Sequence, residues 1–203
     1  MEKATFKLSQ RLLGRIYTTN VLKHISETLE TLTQNTTFKE HANSIVTDSS
    51  LTDPQKRTQL LYLLRSVDAP LLYEFMSDEL VANQFWLFHT DKLDYFDRFV
   101  QDFQRLTETI SIINLVTVVP LAAPDLKSIA EDFTKTFGYK VIINHELNPA
   151  LLGGVQLRIE NLIFDYSLRS KFQQFQYHWL ASLENLDQEI GRNQPEVGIS
   201  MPD

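Results

Sequence analysis

The sequence predicts a mainly α-helical protein, with an N-terminal six-helix bundle followed by a small α+β domain. Apolar residues recur at spacings of three and four through about residue 106, which is the period of amphipathic helices. From Ile110 to Val119 the chain becomes rich in β-branched residues, which favour strands. After Gly191 no periodicity is left. We therefore expect a helical bundle over residues 1–108, an α+β module over 109–190 and a flexible tail over 191–203.

A long apolar stripe opens the helical half. It runs from Leu12 to Leu32 and predicts helix without a break until Asn35-Thr36-Thr37. A short helix is expected over 38–46. The next helix has a clear start signal, because Thr52 or Asp53 can serve as N-cap with a proline at the first helical position.

Two further segments complete this half. Residues 71–88 are strongly apolar, and we expect a helix there with a break near Ser77. Residues 93–106 place aromatic and aliphatic side chains on one face and charged side chains on the other. This last pattern is typical of a bundle helix with one buried face.

Strands and helices alternate in the second half. The strand over 110–119 ends at Pro120, and the helix over 122–137 is followed by Gly138, a natural C-cap. A second strand is expected over 140–144, and a hairpin over 155–159 and 162–164. A long helix follows Asp165, and its apolar positions are Leu168, Phe172, Phe175, Trp179, Leu183 and Leu186.

Composition excludes several functional classes. The chain has 203 residues, 43% of them hydrophobic and 22% charged, so it can bury a real core. The net charge of −7 is spread along the chain, which argues against nucleic-acid binding because phosphate contacts need clustered Lys and Arg. The absence of cysteine excludes disulfides, thiolate catalysis and zinc–thiolate sites. No apolar run approaches the roughly 20 residues that span a bilayer, so a role at a membrane is expected to come through other proteins.

Candidate chemistry is sparse. The five histidines lack metal-site spacing, so we expect neither a metal nor a cofactor. Asp165, Ser167 and Arg169 lie at a strand-to-helix junction and have two interpretations: an anion site or a hydrolase that uses a histidine, or a helix cap. The missing GxSxG elbow favours the cap. Gly153-Gly154 lacks the remainder of a phosphate loop, which favours a turn.

The aromatic stripe of the last helix also has two interpretations. Phe172, Phe175 and Trp179 would most often be core residues. The helix is long relative to its small module, however, so part of the stripe is available for a partner.

Two ordered motifs in the second half carry a resemblance to a known family. The first is Leu147-Asn148-Pro149-Ala150-Leu151-Leu152-Gly153-Gly154-Val155, which is similar to a signature commonly written Val-Asp-Pro-Ser-Leu-Ile-Gly-Gly-Val. The second is Ile163-Phe164-Asp165-Tyr166-Ser167-Leu168-Arg169-Ser170-Lys171-Phe172, where the family has a pattern close to Ile-Asp-Gly-Ser-Val-Arg-x-Lys-Leu. The chain thus resembles the delta subunit of F-type ATP synthase, the oligomycin sensitivity conferral protein family. It departs from the pattern at Tyr166, where Gly is usual, and at Glu160-Asn161, where Gly-Asp is usual.

The resemblance implies a non-catalytic stator subunit of the peripheral stalk, with a role in ATP synthesis and hydrogen ion transport. Its helical domain would hold the alpha-subunit N-terminal helix in a groove between the first and fifth helices, and its C-terminal module would hold the b subunits. The complex would place it at the cytoplasmic face of the cell membrane as a peripheral protein. A delta-like adaptor in a different rotary or motor ATPase assembly is the alternative.

The resemblance also implies which residues contact each partner. The groove for the alpha subunit would use Leu12, Leu13, Ile16, Leu80, Val81, Leu87 and Phe88. The b subunits would contact Trp179 and Leu183. The motif residues with a structural role would be Pro149, Gly153, Gly154, Asp165, Ser167 and Arg169. No catalytic residue is expected.

Overall fold

A computed structural model describes residues 2–90 and 94–192, and within them the protein is mainly helical with a small four-stranded sheet. This confirms the predicted mainly α class with a small sheet. The helices of the first half are α1 (Glu2–Gly14), α2 (Thr19–Gln34), α3 (Thr36–Thr47), α4 (Asp53–Leu64), α5 (Pro70–Val81) and α6 (Tyr95–Thr107), with a short 3-10 helix over Phe85–Phe88.

Polar side chains fix where these helices begin. The Asn35 side chain accepts a hydrogen bond from the Phe38 N–H at 3.0 Å and starts α3. Thr52 begins α4, where the Gln55 side chain accepts from the Thr52 N–H at 2.9 Å. Asp94 Oδ1 accepts from the Asp97 N–H at 3.1 Å and begins α6. Each cap satisfies N–H groups that the first helical turn leaves without partners.

Two predicted helix boundaries are wrong. The stripe from Leu12 to Leu32 is divided between α1 and α2, because the chain leaves helical geometry after Gly14 and Thr18 is extended with φ −128°. The expected break near Ser77 does not occur, since α5 continues to Val81. The chain turns only at Asn83, which has φ 58°.

Large apolar side chains from all six helices form the core of this half. Phe75, Phe99 and Phe103 are among the largest fully buried ones. Two buried polar contacts join α1 to α6 inside this core. Thr5 Oγ1 donates to Asp102 Oδ2 at 2.7 Å, and Ser9 Oγ donates to the Phe99 carbonyl at 2.8 Å. Such buried pairs fix the register of two helices, because a shift would leave polar groups unsatisfied.

The second half contains β1 (Ser111–Thr117), α7 (Ala123–Phe137), β2 (Val141–Leu147), β3 (Val155–Ile159), β4 (Leu162–Asp165) and α8 (Leu168–Arg192). The strand order is β2-β1-β3-β4, and β3 pairs with β4 in an antiparallel hairpin. Gly138 ends α7 in the left-handed conformation with φ 76°, as expected for a C-cap glycine.

The chain forms two compact units. One contains residues 1–114 and 121–145, and the other contains residues 115–120 and the chain from 146 onward. The predicted domain limits, 1–108 and 109–190, stay a prediction. The predicted tail begins inside α8, which extends to Arg192, and its remainder lies outside the described residues.

Candidate partner-binding surfaces

An apolar stripe lies along the exposed surface of α8. Leu168, Phe172, Phe175 and Trp179 follow a four-three-four spacing, so they share one face of the helix. Their exposed fractions lie between 43 and 63%. The Phe175 and Trp179 rings contact each other, with centroids 6.0 Å apart. We call these four residues the α8 stripe. Of the two predicted stalk contacts, Trp179 belongs to it, whereas the Leu183 side chain lies outside the described part of the structure.

The junction before α8 is a capping structure. Ser167 Oγ accepts from the Ser170 N–H at 3.1 Å, and Asp165 Oδ1 accepts from the Ser167 N–H at 2.9 Å. Hydrogen bonds from the Ser167 side chain and backbone lower the pKa of Asp165. Ser167 is buried, and Arg169 is exposed. A buried hydroxyl that caps a helix is not presented to a substrate, so this geometry supports the capping interpretation over the hydrolase.

Backbone geometry explains the paired glycines of the first motif. Pro149 starts a short 3-10 helix, and Gly153 and Gly154 follow with φ 144° and 76°. A Cβ on Gly154 would lie 2.3 Å from the Tyr166 carbonyl oxygen, and one on Gly153 would lie 2.6 Å from Leu168 Cδ1. The glycines thus let this turn pack closely against the start of α8.

Six of the seven predicted groove residues are buried in the core. Their exposed fractions are 7% or less, and only Val81 is exposed, at 58%. The buried six are Leu12, Leu13, Ile16, Leu80, Leu87 and Phe88. Buried side chains affect a docking surface through the position of the helices that carry them. Direct contact between these residues and a partner stays a prediction.

Ion pairs join α1, and the residue that follows it, to α5 where the groove is expected. Arg11 pairs with Glu79, and Arg15 Nη2 lies 2.7 Å from Asp78 Oδ2. Burial raises the pKa of Glu79, while Arg11 and Arg15 oppose that rise. The Arg15–Asp78 pair is exposed to solvent, whereas the Arg11 pair ends on a buried carboxylate, that of Glu79.

An apolar cleft lies between the start of α2 and the start of α5. Its volume is about 370 Å³, and it is lined by Asn20, Val21, His24, Ile25, Ala69, Pro70 and Leu71. The sequence pattern did not predict this cleft, because Val21 and Ile25 lie one turn apart on the same stripe, yet Val21 is exposed and Ile25 is buried. An apolar concavity of this kind can receive the anchor side chains of a docking helix.

Neither a metal site nor a membrane span is found in the described residues. They contain no group of three His, Cys, Asp or Glu side chains that could hold a metal ion. None of their helices is long and apolar enough to cross a bilayer.

A comparison with protein-family models matches residues 3–178 to the ATP synthase delta (OSCP) subunit. A delta subunit from Clostridium kluyveri is 30% identical over 63 residues, which are 31% of this chain and 35% of that relative's length. One from Lactobacillus johnsonii is 23% identical over 55% of this chain and 70% of its own length. One from Symbiobacterium thermophilum is 20% identical over 91% of this chain and 92% of its own length.

Two solved structures of ATP synthases contain similar chains. One, from the Polytomella F-ATP synthase, has a TM-score of 0.31 and 18% identity, and covers 36% of this chain and 95% of its own. The other, from the Toxoplasma gondii mitochondrial ATP synthase hexamer, has a TM-score of 0.34 and 16% identity, and covers 89% of this chain and 97% of its own.

Proposed function

The chain belongs to the ATP synthase delta (OSCP) subunit family, and we propose that it is a non-catalytic stator subunit that joins the catalytic head of a rotary F-type ATP synthase to its peripheral stalk. Its partners are the alpha-subunit N-terminus and the b subunits. It lies at the cytoplasmic face of the membrane and is held there through the complex. A stator resists torque through tight contacts at two places, and this task requires no reactive group.

The observation that carries the proposal is the α8 stripe. Four large apolar side chains share one exposed helical face, and such contiguous apolar surface commonly marks an interaction site. The four-three-four spacing is that of a helix that packs along another helix. Full burial of each side chain contributes about 1.5–3 kcal/mol, which is enough for a stable contact when several are buried together. A helical b subunit fits these requirements.

The alpha-subunit end is assigned to the N-terminal helices, which we propose act as a six-helix bundle. A docking helix needs exposed apolar anchors, and on α5 these are supplied by Val81 and by the cleft that Pro70 and Leu71 line with α2. The buried groove candidates, such as Leu12 and Leu80, support α1 and α5 from below. The exposed Arg15–Asp78 pair lies beside the same helices, where it contributes to orientation more than to affinity.

Substitutions on α8 test the stalk contact in the full-length chain. The ligand is a fragment that contains the C-terminal end of a b subunit from the same organism. Its binding is measured by calorimetry for wild type, Phe172→Ala and Trp179→Ala. Each variant is expected to weaken binding by roughly tenfold or more, because large aromatic anchors dominate helical interfaces. Tyr177→Ala is the matched control: Tyr177 is 73% exposed on α8 but lies off the stripe.

The control distinguishes specific docking from nonspecific hydrophobic association. It is expected to change affinity by less than about threefold, as is usual for contacts away from the anchors. Equal losses for Tyr177→Ala and Trp179→Ala, or no loss for any variant, would remove the stripe as the stalk site.

A further inference from the structure

We propose that Tyr17 is a positioning residue for torque transmission, because it fastens the connection between α1 and α2 to α7 and to the edge of β2. The torque role rests on the proposed stator function. The fastening itself is a property of the isolated chain. We call residues 15–18 the connecting segment.

Backbone hydrogen bonds attach the connecting segment to the sheet. The Ile143 N–H donates to the Tyr17 carbonyl at 2.9 Å, and Thr18 forms a parallel bridge with Ile143. Next to them, Thr19 Oγ1 lies 3.0 Å from the Asn144 side-chain oxygen. Since β2 is an end strand of the sheet, the connecting segment covers backbone groups that an end strand otherwise leaves open.

Two lysines hold the Tyr17 ring. Lys140 Nζ lies 4.3 Å and Lys127 Nζ 5.3 Å from the ring centroid, both within cation–π range. Lys140 Nζ also donates to the Gly14 carbonyl at 3.2 Å, where it meets the unpaired carbonyl end of α1. The ring is thus held from α7 by Lys127 and from the start of β2 by Lys140.

The Glu131 carboxylate on α7 also faces Tyr17. Burial, followed by this carboxylate, raises the pKa of Tyr17. Burial lowers the pKa of Lys140, while Glu131 opposes that change. Glu131 thus faces both groups.

The location suits a load-bearing contact. The helices that we propose bind the catalytic head are joined covalently to the sheet through residues 108–110, and Ile142 of β2 shares their apolar core. The connecting segment adds a further attachment, far from residues 108–110 in sequence. Attachments at separated points resist rotation better than a covalent connection alone. Tyr17 anchors this further attachment.

The first test uses the isolated full-length chain. Hydrogen exchange at the Ile143 amide is measured in wild type, Tyr17→Ala and Tyr17→Phe, with Tyr62→Ala as a control for loss of an exposed tyrosine. Tyr17→Ala is expected to speed exchange at Ile143 by at least tenfold. Tyr17→Phe keeps the ring between the lysines, so it should stay close to wild type. Unchanged exchange in Tyr17→Ala would overturn the fastening role.

The second test uses the assembled enzyme. ATP-driven proton pumping and ATP hydrolysis are measured on membranes that carry each variant. Tyr17→Ala is expected to lower pumping relative to hydrolysis at equal assembly, with rescue by Tyr17→Phe. Lys140→Met, which removes the charge at similar length, should give a smaller loss of the same kind. Normal coupling in a fully assembled Tyr17→Ala enzyme would overturn the torque role.

The two tests separate the inference from its premise. If wild-type chain fails to assemble with alpha and b subunits, the proposed function fails and the torque role fails with it. Hydrogen exchange at Ile143 is measured on the isolated chain, so its result decides the fastening role whether or not the complex assembles.

Discussion

Gly154→Ala should strongly destabilise the turn that precedes β3. Gly154 has φ 76°, a left-handed conformation that costs an L-residue about 1–2 kcal/mol. The new Cβ would lie 2.3 Å from the Tyr166 carbonyl oxygen and 3.0 Å from Ser167 Cα, and both neighbours are backbone atoms. Overpacking of this kind adds about 1–3 kcal/mol. We expect the free energy of opening of the hairpin to fall by about 3 kcal/mol.

Gly14→Ala is the matched control. Gly14 is the last residue of α1, and a Cβ placed there meets no atom within 4 Å. Its φ is not in the left-handed region. The same substitution should therefore stabilise the helix end by up to about 1 kcal/mol, because alanine loses less backbone entropy on folding.

Peptide-resolved hydrogen exchange on the full-length chain measures both variants. A loss of about 3 kcal/mol speeds exchange in residues 155–165 by more than about a hundredfold. Exchange in α1 of Gly14→Ala should be unchanged or slower. If Gly154→Ala exchanges within about threefold of wild type in the hairpin, the close-approach explanation of this glycine is refuted.

Two further predictions concern the cap of α8 and a buried carboxylate. Ser167→Ala should lower the stability of the start of α8 by about 1 kcal/mol, because the Ser170 N–H loses its acceptor. The loss is measured by urea denaturation followed by hydrogen exchange. A loss of several kcal/mol would indicate that Ser167 does more than cap the helix. Burial raises the pKa of Glu79 above the ordinary glutamate value. The stability that Glu79 contributes is therefore fully present at pH below the ordinary value, and it is lost as the pH rises through the raised pKa. The advantage of wild type over Glu79→Gln in denaturation midpoint should therefore shrink as pH is raised from 4 to neutrality, and an advantage that grows would reverse the assigned direction.

Short local motifs predicted most of the helices and strands, but the apolar pattern did not show where α1 ends and α2 begins. The glycine cap at Gly138 and the start of α4 at Thr52 depend on a few adjacent residues, so the sequence shows them directly, whereas the strand expected to reach Pro120 ends at Thr117. The break after Gly14 was missed because apolar residues continue at helical spacing across it. That continuity arises because α1 and α2 both face one core.

Periodicity identifies the apolar face of a helix but not what covers it. Leu80 and Val81 are adjacent and similar, yet one is buried and the other exposed, because only tertiary packing decides which side of α5 meets α1. The same holds for Trp179, because the spacing of the α8 stripe would fit a buried helix face equally well. The Tyr17 contacts join residues more than 100 positions apart, and nothing in either segment alone indicates the other.

The central claim is that one chain connects two partners at separate places. The most direct measurement is light scattering on the full-length chain mixed with an alpha-subunit N-terminal peptide and a b-subunit fragment from the same organism, after gel filtration. The account predicts a single species that contains all three components, in which neither ligand reduces the affinity of the other. Displacement of one ligand by the other, or a folded chain that binds neither, would contradict it.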